Sequence, residues 1–415
     1  MIIIHVMNSD AILPRLLAPH VRGALKTFPV VVLTGARQTG KSTLVQSIEP
    51  EERRLYLTLD DIEVRADAET SPRDLIGRAP RVTLDEVQRV PDLLSAVKRA
   101  VDDRRRAGQF LLTGSANLLL MRRVAESLAG RAVYFTLWPM TRRERLGMGT
   151  AGLWGRFFEE PVRKWRDISE AEKAEPEDWR AAVRRGGYPT PALELRDDAE
   201  RDRWFAGYTA TYLERDVLQL SAIQALVEFR RLMRAACLRL GSLVNQTELG
   251  RDVGLPQPTV HRYLAILETS YQLVRLPAYA VNRSKRLIKA AKLYWSDVGL
   301  AMQLAGEASP RGAHLENLVL GDLLAWAGTL ADRAEVLYWR TAAGEEVDFV
   351  VERKDALLPV EVKASGRVSS RDARGIASFR EEYGKQVVGG LVLYTGSESI
   401  WLSQGVLAVP WWRVV

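Results

Sequence analysis

Hydrophobic and polar positions along the chain fall into three regimes. From Phe28 to about residue 140, short unbroken apolar runs alternate with stretches of helical period: FPVVVLTG, RRLYLTLDD, RVTLDE, QFLLTGSAN and AVYFTLWPM read as strands. Unbroken apolar strands separated by helices predict a parallel sheet covered on both faces. Ahead of it, residues 11–27 read as a short amphipathic helix with Pro14 near its start, and MIIIHV reads as a strand. Between 147 and 180 the pattern dissolves into GMGTAGLWG and EEPVRKWRDISEAEKAEPEDWR, which predicts an exposed connector. Helical period returns from about 195 to 275, and a last αβ stretch closes the chain. The divisions that follow are 1–146, 147–190, 191–300 and 305–415, with no internal repeat and no low-complexity tract.

Composition narrows the class. The 415 residues are 47% apolar and 27% charged, an ordinary globular balance. No apolar run approaches the ~18 residues that cross a bilayer, so no membrane partner is expected. Cys237 is the only cysteine, which excludes an intramolecular disulfide and any cysteine-built metal site. It lies on an apolar helical face and reads as a core thiol in a reduced, cytoplasmic compartment. The four histidines share no ligand spacing. The net charge of +7 is modest, but its distribution is not even: Arg283, Lys285, Arg286, Lys289 and Lys292 follow one another with no acid among them.

The sharpest signal lies between the first strand and the next helix. Gly35, Ala36, Arg37, Gln38, Thr39, Gly40, Lys41 and Ser42 fit G-x-x-x-x-G-K-[ST], with Thr43 following in the helix. Glycines let the backbone wrap phosphates, and the amides at a helix start donate to their oxygens. Lys41 is suited to the β- and γ-phosphates of ATP, and Ser42 to Mg²⁺. The strand RVTLDE then ends in Asp85, which would support Mg²⁺, and Glu86, which would polarise the attacking water. Beyond the next strand end (Thr113), Ser115 or Asn117 would reach between the γ-phosphate and that water. Arg131 stands immediately before the fifth strand.

These residues resemble the AAA ATPase class. There, an arginine in the place of Arg131 reaches the nucleotide of a neighbouring subunit, which implies a homo-oligomer, with a hexamer among the options. GARQTGKSTL, LDEVQ, LLTGSAN, ESLAGR, GGYP (186–189) and YLERDV (212–217) together resemble one bacterial and archaeal family, whose AAA core of the archaeal-ATPase type precedes a C-terminal domain of unknown function. Arg184, Arg185 and Arg215 are candidates for a lid arginine that senses the γ-phosphate.

Residues 245–277 read as helix, proline-containing turn, helix and strand, a winged-helix pattern. Its outward Thr259, His261 and Arg262 would face a DNA groove, while Arg283, Lys285, Arg286, Lys289 and Lys292, between the wing strands, would contact phosphates. From 311 the order α-β-β-β-α-β resembles the PD-(D/E)xK nuclease fold, with Asp348, Glu361 and Lys363 in its motif and Glu316 as the extra acid of its first helix. Such acids would hold Mg²⁺. The fold expected is therefore α/β: a P-loop AAA core, a helical lid with winged helix, and a C-terminal restriction-endonuclease-like domain. Three functions fit: an oligomeric ATPase acting on DNA, a nucleotide-controlled switch that binds a protein partner and carries a silent nuclease-like domain, or an ATP-gated metal-dependent nuclease.

Overall fold

The computed structural model describes residues 12–49, 53–114, 128–213 and 226–415. The MIIIHV run, Ser115, Asn117 and Arg215 lie outside them. Five strands, β1 (Val30–Thr34), β2 (Leu55–Thr58), β3 (Val82–Asp85), β4 (Phe110–Thr113) and β5 (Ala132–Thr136), form a parallel sheet in the order β2-β3-β4-β1-β5. Every residue of β1, β3 and β4 is buried, as their unbroken apolar runs require of central strands. Because β4 lies between β1 and β3, its end faces the gap between the glycine loop after β1 and the acids closing β3.

Helix Ala18–Ala24 packs against helix Lys41–Ile48 on one face of the sheet. Arg15, just ahead of it, ties three segments together: its guanidinium donates to Thr39 O and Trp138 O, both at 2.7 Å, and pairs with Glu144 at 3.1 Å.

The expectation of an exposed connector is corrected. Residues 147–190 form helices Trp154–Glu159, Trp165–Ala171 and Trp179–Arg185, whose tryptophans 154, 165 and 179 are all buried. Trp154 Nε1 donates to Asp322 at 2.6 Å, and the Ser169 and Ser399 hydroxyls meet at 2.8 Å. The polar tract between the tryptophans masked their spacing; Trp154 reaches Asp322, and Trp165 lies against Gly389.

Helices Leu226–Leu238, Gln246–Val253 and Gln257–Thr269 precede the antiparallel pair β6 (Leu273–Leu276) and β7 (Lys292–Trp295). Asn245 caps the second helix and Gly254, at φ +72°, ends it, a left-handed conformation that costs glycine little. The basic run begins between the two strands, with Arg283, Lys285 and Arg286 in the short helix Arg283–Ile288 and Lys289 after it, and ends at Lys292, the first residue of β7.

The last segment is helix Gly312–Ala327, then β8 (Ala334–Arg340), β9 (Glu346–Arg353), β10 (Ala356–Lys363), helix Arg374–Tyr383, β11 (Gly390–Tyr394), β12 (Ile400–Ser403) and β13 (Val406–Pro410), in sheet order β12-β13-β11-β10-β9-β8. One apolar core runs through the tryptophan helices, the middle helices and one face of this sheet, and among the described residues up to 146 Ala36 is its only buried member. The two faces of the parallel sheet have separate cores. The chain is thus divided by packing into a nucleotide-type sheet and one fused block.

Candidate functional site

The loop 35–42 owes its shape to three residues at positive φ: Gly35 at +140°, Gln38 at +60° and Gly40 at +89°. A side chain on Gly35 would sit 2.4 Å from Leu137 O, so the first position admits glycine alone. The loop opens directly into helix Lys41–Ile48, where free amides point at whatever occupies it. Lys41 is buried, and its ammonium donates to Gly35 O (3.1 Å) and Ala36 O (2.7 Å), curled over the loop.

Asp85, 3% exposed, is held by three hydroxyls. Ser42 donates to its Oδ2 at 2.9 Å, Tyr56 to the same oxygen at 2.7 Å, and Thr113 to Oδ1. Burial and the Asp85 charge together push the Tyr56 phenol well above its ordinary range, so it stays a donor. Thr113 also accepts from the Glu86 backbone N–H at 3.2 Å, and Glu86 stands at φ +59° with its carboxylate accepting from Gln88 Nε2. The Ser42 hydroxyl and the Asp85 carboxylate meet beside the loop, a hard-oxygen donor set that fits Mg²⁺. Sequence reading identified Ser42, Asp85 and Glu86. It missed Tyr56 and Gln88, and passed over Thr113 in favour of the undescribed Ser115 and Asn117. Only the strand order reveals that β2 and β4 both end at Asp85.

Arg131 precedes β5 at the edge of the sheet opposite the loop, since Val30, the first residue of β1, pairs in parallel with Ala132. Its guanidinium is held by Asp102 at 2.6 Å and by Ala129 O at 2.9 Å. Arg184 pairs with Asp198 at 3.2 Å and Arg185 with Glu177 at 2.5 Å.

The fused block reaches the loop through tyrosines. Tyr271, a non-glycine residue at φ +56°, donates to Thr34 Oγ1 at 2.9 Å, and Tyr208 donates to Arg37 O at 3.4 Å. Tyr188 and Gln272 both hydrogen-bond the Tyr208 hydroxyl at 3.0 Å. Beside them, Gly187 N donates to the buried Asp297 at 2.6 Å, and Gly187 O accepts from Met140 N at 2.6 Å.

In the C-terminal sheet, Asp348 of β9 and Glu361 of β10 lie on neighbouring strands: Asp348 accepts from Val362 N at 2.9 Å, and Glu361 pairs with Lys363 at 2.6 Å. Glu316 approaches from its helix and accepts from Tyr294 at 3.1 Å. Burial, then the nearby Asp348 charge, lifts Glu316 to about 7 and Glu361 to about 8.

The proposed DNA contacts separate. His261 and Arg262 are exposed on helix Gln257–Thr269 and Thr259 is half-buried. Arg283 and Lys289 are exposed, while the Lys285 side chain lies outside the described part. Arg286 and Lys292 are corrected: both are buried. Arg286 pairs with Glu335 (2.9 Å) and Glu352 (2.5 Å), and Lys292 pairs with Glu346 and Asp348, so neither faces a phosphate. The acids that neutralise them come from strands 49 or more residues later, beyond the reach of a local charge count.

Among the described residues no helix is long and apolar enough to cross a membrane. Residues 27–146 match an AAA domain, residues 176–311 a domain of unknown function (DUF8612), and residues 311–414 a second one (DUF4143). Uncharacterised proteins of Mycobacterium tuberculosis and Mycobacterium bovis are each 30% identical over 404 residues, covering 95% of this chain and 82% of theirs. One from Haemophilus influenzae is 21% identical over 386 residues, covering 87% and 89%. The Walker-type ATPase of Pyrococcus abyssi overlaps 71% of this chain and 99% of its own at 15% identity, with a TM-score of 0.38, a likeness too loose to bear on the fold. The chain belongs to the family of those mycobacterial proteins and is an ATP-binding AAA ATPase with a C-terminal domain of unknown function.

Proposed function

We propose that this chain is an ATP-hydrolysing switch whose nucleotide state is passed to the fused block behind the loop. The observation that supports the hydrolytic part is the chain of contacts Ser42–Asp85–Thr113–Glu86, which anchors the Glu86 backbone beside the phosphate loop. The loop amides and Lys41 would bind the phosphates. Ser42 and Asp85 would hold Mg²⁺, which when bound supplies positive charge beside the β- and γ-phosphate oxygens. Glu86 would exchange Gln88 for water and orient it in line with the bond to the leaving ADP oxygen. As the water oxygen bonds to the γ-phosphorus and gives a proton to Glu86, that bond breaks, leaving ADP and inorganic phosphate. The switching part is supported by Tyr271 and Tyr208, which touch Thr34 and Arg37 O at the two sides of the loop.

Arg131 cannot serve its own nucleotide from the opposite sheet edge. The reading is therefore that it leaves Asp102 and stabilises phosphoryl charge on a neighbouring copy, within a homo-oligomer. A second reading, action on DNA, is favoured by one observation: His261 and Arg262 are exposed on the second helix of a helix-turn-helix pair followed by a two-stranded wing. A protein partner is the alternative occupant of that face.

The test is a pair of variants. Lys41→Ala should abolish ATP binding, whereas Glu86→Gln should bind ATP with wild-type affinity and fail to turn it over. Turnover by Glu86→Gln at the wild-type rate would remove Glu86 from the mechanism.

A further inference from the structure

The acids of the C-terminal sheet already have a cation. Lys292, the first residue of β7, is 2% exposed and reaches out of the middle of the chain into the cluster. Its ammonium pairs with Glu346, lies 3.5 Å from Asp348 Oδ1, and stands 5.7 Å over the Tyr338 ring. Two residues on, and so on the same face of the strand, Tyr294 donates to Glu316. One short strand therefore satisfies both the motif acid of β9 and the extra acid of the helix.

The lysine is not on a loose arm. Asn317 makes two 2.7 Å bonds to the Trp295 backbone, one to its N–H and one from the Asn317 amide to its carbonyl. Tyr279 N donates to Tyr338 O at 2.6 Å, Tyr338 N to Pro277 O at 3.0 Å, and the Tyr338 hydroxyl to Ala290 O. The β6–β7 pair is thus stitched to both the helix and the sheet that carry the acids. Withdrawing Lys292 would break these bonds and leave an ammonium without counter-charge in a buried place, a penalty that breaking any buried ion pair incurs.

We infer that Lys292 permanently fills the cation position of the Glu316–Glu346–Asp348 cluster, so that the C-terminal domain takes no divalent metal there and instead anchors the middle helices. An ammonium on a fixed strand competes with a dissolved cation for the same oxygens at a high effective concentration. The inference concerns a site remote from the ATP loop and stands whether or not ATP is hydrolysed.

The experiment is calorimetric titration of the full chain with Mn²⁺ and no nucleotide, alongside Asp348→Asn, Lys292→Met and the double variant. Wild type and Asp348→Asn should titrate identically. Lys292→Met should gain one site, at least about tenfold tighter than anything in wild type, and the double variant should lose it. Asp348-dependent Mn²⁺ binding in wild type overturns the inference, as does a Lys292→Met titration that matches wild type. Should Lys292→Met not fold, the wild-type chain still decides: amine acetylation read by mass spectrometry should modify Lys292 at least ~10-fold more slowly than the exposed Lys289, with or without ATP. Equal rates in either condition overturn it.

Discussion

Thr113 offers the most discriminating perturbation of the ATP site, because its single hydroxyl both donates to Asp85 and accepts from the Glu86 backbone. Thr113→Val keeps the shape and deletes both bonds. Asp85 is buried, and its Oδ1 would lose the hydroxyl that holds it, while Ser42 and Tyr56 both act on Oδ2. A hydrogen bond to a charged group contributes about 1.5–3 kcal/mol, and leaving the acceptor unsatisfied costs about as much. The carboxylate should therefore turn toward its remaining donors, Ser42 and Tyr56, and Glu86 should lose the anchor that sets its position. A displacement of about 1 Å at the group that orients the nucleophile costs on the order of 10²-fold. Steady-state ATPase assays should accordingly give a kcat lower by ~10–100-fold. Equilibrium binding of a fluorescent ATP analogue should change by less than about threefold, since the loop amides are untouched. Thr113→Ser, which restores the hydroxyl, should recover most of the rate. A Thr113→Val enzyme within about twofold of wild type in kcat would refute the argument that this hydroxyl organises the acids.

Three further outcomes are expected. Mixing Arg131→Ala with Lys41→Ala subunits should restore part of the ATPase activity that neither has alone; no complementation at any mixing ratio would place Arg131 with Asp102 as a surface ion pair. Asp322 is fully buried, and burial lifts its carboxyl to about 6 from 3.8, so its contribution is intact below about pH 4 and lost as pH rises through 6. Above that the ionised carboxylate costs on the order of 3 kcal/mol at most, so Asp322→Asn should melt higher than wild type at pH 7.5 and converge with it near pH 4; equal melting at pH 7.5 would dismiss the burial penalty. If duplex DNA binds, replacing His261 and Arg262 by alanine should flatten the salt dependence by roughly 0.9 for each phosphate no longer neutralised, whereas an unchanged slope would assign DNA binding to another face.

What the sequence made legible was local. The glycine loop, Lys41, Ser42 and the Asp85–Glu86 pair announce themselves because each acts within a few residues of a strand end. Tyr56 is invisible in the same reading and Thr113 is passed over in it, since their roles arise from the order β2-β3-β4-β1, and lateral strand order is not written in periodicity. The same limit explains the basic run. Within its own stretch it reads as an unopposed positive patch, yet Arg286 and Lys292 are answered by Glu335, Glu346, Asp348 and Glu352 from strands that fold back onto it. The tract around Trp154, Trp165 and Trp179 failed for a different reason. Its helices are six or seven residues long, so each shows only one i, i+3 repeat (Trp154 and Phe157, Trp165 and Ile168, Trp179 and Ala182), too short for a period to stand out from the polar residues around it.

The backbone of Gly187 has a consequence for how the molecule can move. It gives its N–H to Asp297 in the fused block and its carbonyl to Met140, which follows β5 of the parallel sheet. No side chain could stand there, since a Cβ would lie 2.5 Å from Met140 O. Any rigid separation of sheet and block must open one of these two bonds before the other. Hydrogen exchange at the amides of Met140 and Gly187 therefore carries the direction of travel. Faster exchange at Met140 means that the loop leaves with the block, and faster exchange at Gly187 means that it stays behind with the sheet.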